Sequence, residues 1–346
     1  MNLDIYKNKK VFVTGHTGFK GSWLCLWLQE LGADVVGYSL PPEELSHFNL
    51  LKLPIKSYFE NINDQATLSK AIKESKPDVV FHLAAQALVR DSYDDPITTY
   101  DTNVTGSLKV YWACLQANVQ NVVSITTDKV YENNEWMWGY RENDSLGGHD
   151  PYSSSKACVE LMTDSFRNSF LRDHKMKLAT ARAGNVIGGG DWAKDRLIPD
   201  LVRNASIGTV TPIRNPQSVR PWQHVLEPLH GYLMLGQKLL ENKTEFCTSF
   251  NFGPELDDVA TVEKMCELAK NNWDKINAHY VEETQKKHEA GLLKLDITKS
   301  REVLGWKPLL DSSKATELTV NWYKNYYQNQ SLSSKEDLAR FIKQIN

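Results

Sequence analysis

Tyr152 and Lys156 stand four residues apart in the segment DPYSSSK, a spacing that puts a phenol and an ammonium on one face of a helix. A phenol, whose ordinary pKa is about 10, works as a base only when something lowers its hold on the proton, and a neighbouring cation does so. Upstream, TTDKVY sets Thr127, Asp128 and Lys129 side by side. A hydroxyl, a carboxylate and an amine are the groups needed to hold an oxygen, deliver a proton and remove one. Each pattern also has a plain reading: an exposed Tyr–Lys pair on a solvated helix, and a Lys129 turned outward into a salt bridge.

For chemistry, a scaffold must bring 127–129 next to 152–156. Short apolar runs alternate with amphipathic stretches through the first half of the chain, predicting strands at 10–15, 34–39, 78–84, 121–127 and 178–183 and helices at 19–31, 65–75, 96–117 and 151–173. Strands joined by helical crossovers give an α/β fold, a Rossmann-type doubly wound parallel sheet covered on both faces. After Arg182 the pattern loosens into GNVIGGGDWAKDRLIPD and TPIRNPQSVRPWQH, segments too long for plain connections and of the kind that cover a site. A helix at about 225–240 and a strand at 249–253 return to the sheet, and helices near 261–271 and 313–328 follow. The expected division is residues 1–185 plus about 221–253 in one lobe, and about 186–220 plus 254–346 in a smaller, discontinuous α/β substrate-binding lobe.

The first predicted strand runs into VFVTGHTGFKGSWL, with Gly15, Gly18 and Gly21 spaced G-x-x-G-x-x-G ahead of an apolar helix. Glycine at these places permits the sharp turn, a close approach of backbone to a pyrophosphate, and tight helix packing, while the helix start offers free N–H groups. The acidic residue that would bind an adenosine ribose at the end of the second strand is missing, with Tyr38 and Ser39 there instead. No arginine stands ready for a 2′-phosphate either, so NAD is expected over NADP.

Composition narrows the class. With 41% hydrophobic and 24% charged residues, the chain is that of a folded protein, and a net charge of -3 provides no global basic field for nucleic acid. Cys25, Cys114, Cys158, Cys247 and Cys266 show no metal spacing and read as thiols of a reducing compartment. The N-terminus has no apolar leader and no run is apolar enough for a membrane span, which predicts a cytoplasmic protein.

The glycine loop, HLAAQ at 82–86, Asn103 in DTNVTGS, TTDKVY and YSSSK occur in the order that resembles the extended short-chain dehydrogenase/reductases. GHTGFKGSWLCLWL, ENNEWMWGYREND, RAGNVIGGGDWAKDRLIPD and RPWQHVLEPLHGYL resemble the CDP-glucose branch of the 4,6-dehydratases in that family. NFGP and LKLDITKSREVLGWKP extend the likeness almost to the end. The resemblance implies that NAD is recycled within each turnover, held by Gly15, Thr17, Gly18, Phe19, Gly21, Leu83, Ala84, Ala85 and Asn103. It implies CDP-D-glucose as substrate and CDP-4-dehydro-6-deoxy-D-glucose as product, a precursor of deoxysugars of surface polysaccharides such as the lipopolysaccharide O-antigen. Tyr152 then takes the proton of the 4-hydroxyl, Thr127 helps hold that oxygen, and Lys156 orients the nicotinamide ribose and tunes Tyr152.

In the related dTDP-glucose enzymes a glutamate follows the Thr-Asp pair and removes the carbon 5 proton, while the aspartate protonates the departing carbon 6 hydroxyl. Here Asp128 keeps its place and Lys129 takes the glutamate's. Lys129 would act on carbon 5 as a neutral amine or stabilise the enolate as an ammonium, and both roles stay open. Asn185, Arg196 and Arg220 are the implied pyrophosphate ligands, with Leu197 along the nucleotide. Gln86 and Arg90 either face the hexose or hydrogen-bond at a helix start. Apolar helices near 96–118 and 151–173 resemble the superfamily's association surface, which predicts a homodimer or homotetramer. A dTDP-glucose dehydratase or a 4-epimerase would share Tyr152, Lys156 and NAD, although an epimerase has no need of an acid and base at carbons 5 and 6. An idle NAD-binding scaffold is the remaining alternative.

Trp136, Trp138, Trp192 and Trp222 are either stacking platforms for cytosine or core aromatics. His82 is expected to pack at a strand end; with His16, His149 and His224 scattered, no metal site is predicted. The charged run EETQKKHEA at 282–290 reads as a solvated helix or turn.

Overall fold

A computed structural model describes residues 3–281 and 290–345. Seven strands form one parallel sheet: β1 (Lys10–Thr14), β2 (Asp34–Ser39), β3 (Lys56–Phe59), β4 (Val79–His82), β5 (Asn121–Ile125), β6 (Lys177–Ala183) and β7 (Ser249–Phe252), in the spatial order 3-2-1-4-5-6-7. The order reverses between β1 and β4, and the crevice beyond the carboxyl ends of such strands is where a doubly wound sheet takes its ligand.

Side-chain alternation explains the two layers. Val11 and Val13 point into a large core with the helix α1 (Phe19–Glu30) and the Leu226–Leu240 helix. Phe12, Val80, Val122 and Leu178 point the other way, onto a second core with Leu68 and Tyr111 from helices Gln65–Ser75 and Gly106–Gln116. Burial on both faces is what makes these strands continuous Val and Phe runs.

Beyond β6 the regular pattern gives way to three two-stranded pieces: Val186–Ile187 with Gln223–His224, Val219–Arg220 with Ala260–Thr261, and Thr211–Ile213 with Ala278–Tyr280. Helices Leu197–Ser206, Val262–Asn272 and Ser312–Asn329 pack around them.

Two expected helices are interrupted. The stretch 96–117 comprises Pro96–Tyr100, a π-turn at Asp101–Thr105 and Gly106–Gln116, and 151–173 is the helix Pro151–Phe166 followed by a π-turn at Arg167–Leu171. β3 and the final helix Ser334–Ile345 were not expected. The run 282–290 lies, apart from Ala290, outside the described residues.

Candidate active site

The turn after β1 is built on contacts that only glycine permits. Gly15 has a φ of +72°, and a Cβ there would stand 2.7 Å from the backbone N of Ala84; on Gly21 a Cβ would fall 2.0 Å from the Gly15 carbonyl oxygen. The turn is therefore pressed against the end of β4, where the N–H groups of Leu83 and Ala84 each donate to Thr14 Oγ1 at 3.1 Å. Thr17 Oγ1 donates to the Leu40 carbonyl (3.0 Å) and lies 2.8 Å from Ser39 Oγ, tying the loop to the end of β2. Gly18 caps α1 without a side-chain acceptor, so the first-turn N–H groups face the loop's open side. Such a cradle fits the pyrophosphate of a dinucleotide.

Asn103 holds the neighbouring wall. Its Nδ2 donates to Ser155 Oγ (2.8 Å) and to the Gln86 carbonyl (3.0 Å), and its Oδ1 accepts from the Gln86 N–H (2.9 Å). The π-turn carries this buried amide inward, linking the loop after β4 to the Tyr152 helix. The Gln86 carboxamide is spent on Leu88 in that loop and on Thr99 of the Pro96–Tyr100 helix. Arg90 does line the cleft, its Nε 3.7 Å from Asp195.

Thr127, Asp128, Lys129 and Tyr152 line one cleft of about 380 Å³, together with Asn185, Arg196, Leu197 and Arg220. Asp150 caps the Tyr152 helix by accepting from the Ser153 N–H at 2.8 Å, which fixes where Tyr152 begins its turn. Thr127 Oγ1 donates to Asp128 Oδ1 (2.9 Å); the other carboxylate oxygen, Oδ2, is buried with no hydrogen-bond partner. Lys129 points into the site, its Nζ 3.5 Å from Asn185 Oδ1 and 3.8 Å from Asp128 Oδ1.

Burial pushes the Tyr152 phenol up to about 12; the Thr127 hydroxyl opposes this, Asp128 adds to it and Arg196 counters. Lys156 is brought down to about 8 by burial, with Glu160 opposing, and its Nζ donates to the Ile125 carbonyl at 3.3 Å. Glu160, one turn further along, accepts from Thr126, Thr180, Arg182 and Ser249. That carboxylate pins the helix to β6, β7 and the end of β5, so the Thr127 turn and the Tyr152–Lys156 face are held in one frame.

On the opposite wall Arg196 stands at the start of the Leu197–Ser206 helix, donating to Asp191 at 2.8 Å. Arg220 is buried, its Nη1 3.0 Å from the Val219 carbonyl.

The tryptophans resolve mostly into packing. Trp192 packs edge-on to Trp322, Tyr323 and Tyr326, and Trp222 is buried at the cleft wall with Nε1 donating to the Ala260 carbonyl. Trp136 and Trp138 pack on each other at 5.0 Å. His82 bridges Thr14 and Ser107 at the end of β4. Among the described residues, no cluster of three His, Cys, Asp or Glu suits a metal ion, and no helix is long and apolar enough to cross a membrane.

Sequence reasoning passed over Lys20, Asp191 and Tyr232. Lys20 lines the cleft from α1, and the Tyr232 hydroxyl is buried without a partner. The signal for Lys20 was a lone charge at the start of an apolar helix.

A family model described as GDP-mannose 4,6 dehydratase matches residues 12–318. The chain is 45% identical to the CDP-glucose 4,6-dehydratase of Salmonella typhimurium, over 99% of this chain and 98% of that protein. In fold it is similar to a UDP-glucose 4-epimerase from Thermotoga maritima (TM-score 0.80, 24% identity, 92% of this chain and 99% of that one). It is also similar to DesIV, a dTDP-glucose 4,6-dehydratase from Streptomyces venezuelae with NAD bound (TM-score 0.79, 22% identity, 91% and 97%).

Proposed function

The chain belongs to the GDP-mannose 4,6 dehydratase family, and from that premise we propose that it is a hydro-lyase converting CDP-D-glucose to CDP-4-dehydro-6-deoxy-D-glucose and water. The observation that carries the reading is a cleft with Thr127, Asp128, Lys129 and Tyr152 on one wall, in a chain 45% identical along nearly its whole length to a CDP-glucose 4,6-dehydratase.

The dinucleotide is NAD, held at Gly15, Thr17, Gly18, Phe19 and Gly21, by Leu83, Ala84 and Ala85 after β4, and beside Asn103 and Lys156. When bound, NAD supplies the hydride acceptor for carbon 4 and the donor that restores hydride at carbon 6. Tyr152 removes the 4-hydroxyl proton while Thr127 steadies the oxygen, and Lys156, as an ammonium, lowers the phenol's proton affinity. The ketone at carbon 4 makes the carbon 5 proton acidic, so a weak base suffices if it is well placed. Lys129 takes that proton as an amine, or holds the enolate as an ammonium. Asp128 delivers a proton to the carbon 6 hydroxyl, which leaves as water, and carbon 5 is reprotonated afterwards. Asn185, Arg196 and Arg220 hold the substrate pyrophosphate, with Leu197 alongside the nucleotide.

The cofactor lobe comprises 1–185 plus about 221–253, and the substrate lobe about 186–220 plus 254–346. The enzyme is cytoplasmic and works as a homodimer or homotetramer; unpaired cysteines and exposed apolar side chains on two adjacent helices support this. The deciding experiment incubates the pure protein with CDP-, dTDP- and UDP-glucose, with and without added NAD, and follows product by mass spectrometry. Water loss from CDP-glucose alone is expected. An epimer of unchanged mass would move the assignment to a 4-epimerase, and no turnover of any of the three would overturn the reading.

A further inference from the structure

Arg196 enters the cleft from the end of a segment, 188–196, that has neither helix nor strand. Its Nη1 donates to Asp191 Oδ2 at 2.8 Å, and among the described residues no other nitrogen of the fork meets an acceptor. One carboxylate therefore sets where the guanidinium points. Asp191 is buried, and its second oxygen, Oδ1, accepts from the Ala193 N–H at 3.1 Å. With both oxygens engaged, the position of the Asp191 backbone decides where Arg196 is held.

That backbone is clamped by one side chain from far along the sequence. The Tyr323 hydroxyl, on the Ser312–Asn329 helix, accepts from the Asp191 N–H at 2.8 Å and donates to the Asp191 carbonyl. Tyr323 is fully buried, so removing its oxygen leaves a buried N–H and a buried carbonyl unpaired. The helix is in turn registered against the start of α1. A Cβ on Gly189 would stand 2.0 Å from the Trp322 ring, and Trp23 of α1 donates from Nε1 to the Gly189 carbonyl at 2.8 Å. A second connection runs through His47. Ser22, on the first turn of α1, donates to the Phe19 carbonyl, so it accepts from His47 Nδ1 (2.8 Å). His47 Nε2 then accepts from Ser334 (2.9 Å), whose oxygen accepts from Trp322 Nε1 (2.8 Å). The α1 turn that fits the cofactor's pyrophosphate and the carboxylate that aims Arg196 thus belong to one packed body.

We propose that Tyr323 and Asp191 are positioning residues for Arg196: the phenol fixes the Asp191 backbone, and the Asp191 carboxylate aims the guanidinium at the substrate pyrophosphate. This rests on the assignment of Arg196 to that pyrophosphate above. It gives the Ser312–Asn329 helix a part in substrate binding, although none of its residues lines the cleft.

The test is equilibrium binding of CDP, which carries the pyrophosphate and lacks the hexose. Dissociation constants are measured by calorimetry on the full chain, with NAD present, for wild type, Tyr323→Phe, Arg196→Gln and the double variant. Arg196→Gln should weaken CDP roughly 10- to 100-fold and Tyr323→Phe about tenfold. The double variant should bind no more weakly than Arg196→Gln alone, because a phenol that acts through the guanidinium has nothing left to place. The affinity of Tyr323→Phe for NAD should stay within about twofold of wild type. Asp191→Asn, with the clamped backbone intact and the charge removed, should weaken CDP as Tyr323→Phe does, and it decides the matter should Tyr323→Phe not fold. Additive losses in the double variant, or equal losses of CDP and NAD in Tyr323→Phe, would make Tyr323 a packing residue and overturn the proposal. Wild-type affinity for CDP in Tyr323→Phe or Asp191→Asn would do the same. Unchanged affinity in Arg196→Gln would overturn the pyrophosphate assignment itself, and the proposal with it.

Discussion

At the scale of single residues, the proposed reaction divides between Lys129 and Lys156 what one base could not do alone. Lys129 is only partly buried and touches Asn185 and Asp128, so it can meet carbon 5 without holding the cofactor. Replacing it with alanine should slow water loss by roughly 10²- to 10⁴-fold and leave the affinity for CDP-glucose within about threefold, a factor worth well under the 1.4 kcal/mol of a tenfold change. Stopped-flow detection of the 4-keto product and calorimetric binding separate the two effects; an unchanged dehydration rate would remove Lys129 from both catalytic roles. In the proposed reaction Lys156 acts through Tyr152. The phenol sits near 12 and needs a nearby cation to ionise, and Lys156 keeps its proton below about 8. Lys156→Met takes that cation away, so the rising limb of the kcat/KM profile should move to higher pH by at least about one unit. A rising limb that stays in place would show that Arg196 alone tunes the phenol.

At the scale of elements, the frame that aligns these groups is the Glu160 cluster. Burial by itself would raise this carboxyl, but Arg182 at 2.9 Å, helped by the hydroxyls of Thr126 and Thr180, brings it from the usual 4.5 down to about 2. A folded-state value below the unfolded one means stability that is fully present above pH 4.5 and is lost as pH falls towards 2. Glu160→Gln strands the Arg182 charge and should destabilise the fold by about 3–5 kcal/mol at pH 7, with the gap from wild type narrowing at pH 3. Urea midpoints at the two pH values measure it, and a gap that does not narrow would dissociate Glu160 from the acid sensitivity. None of this network was legible in the sequence, because its members come from four elements and their pairing depends on the sheet order. The glycine loop and the Tyr152–Lys156 pair were legible, since their meaning lies in local spacing. β3 was not: Lys56–Phe59 is a four-residue edge strand, half exposed, with no apolar alternation to mark it. The unbroken helix expected at 96–117 failed for a related reason. A π-turn that swings Asn103 inward leaves the helical pattern of apolar residues intact while changing which side chain faces the core.

At the scale of the whole molecule, the same ambiguity of apolar pattern concerns what covers the helices on the outside. Ile97, Leu108, Trp112, Leu161 and Phe170 are all exposed, and Trp112 meets Phe170 edge-on with ring centres 5.8 Å apart. Periodicity alone read these helices as sheet-covering, which their inner faces are; only the three-dimensional arrangement separates the inner face from a second apolar face turned to solvent. Exposed apolar side chains on neighbouring helices suit the association proposed above. The helix that carries Leu161 also carries Tyr152 and Lys156, so a second copy seated there would brace the catalytic helix from behind. Trp112 is far enough out for a charge to be tolerated by the fold and central enough to disrupt the patch. Light scattering of the wild-type protein at micromolar concentration should give two or four copies, and Trp112→Glu should give a smaller assembly with an unchanged far-ultraviolet dichroism spectrum. A wild-type monomer would leave the patch without that role. A variant that separates into monomers and loses turnover, yet still binds NAD, would show that association serves the geometry of Tyr152 and Lys156, because the glycine cradle that receives the pyrophosphate lies on β1 and α1, apart from the helix that association would brace.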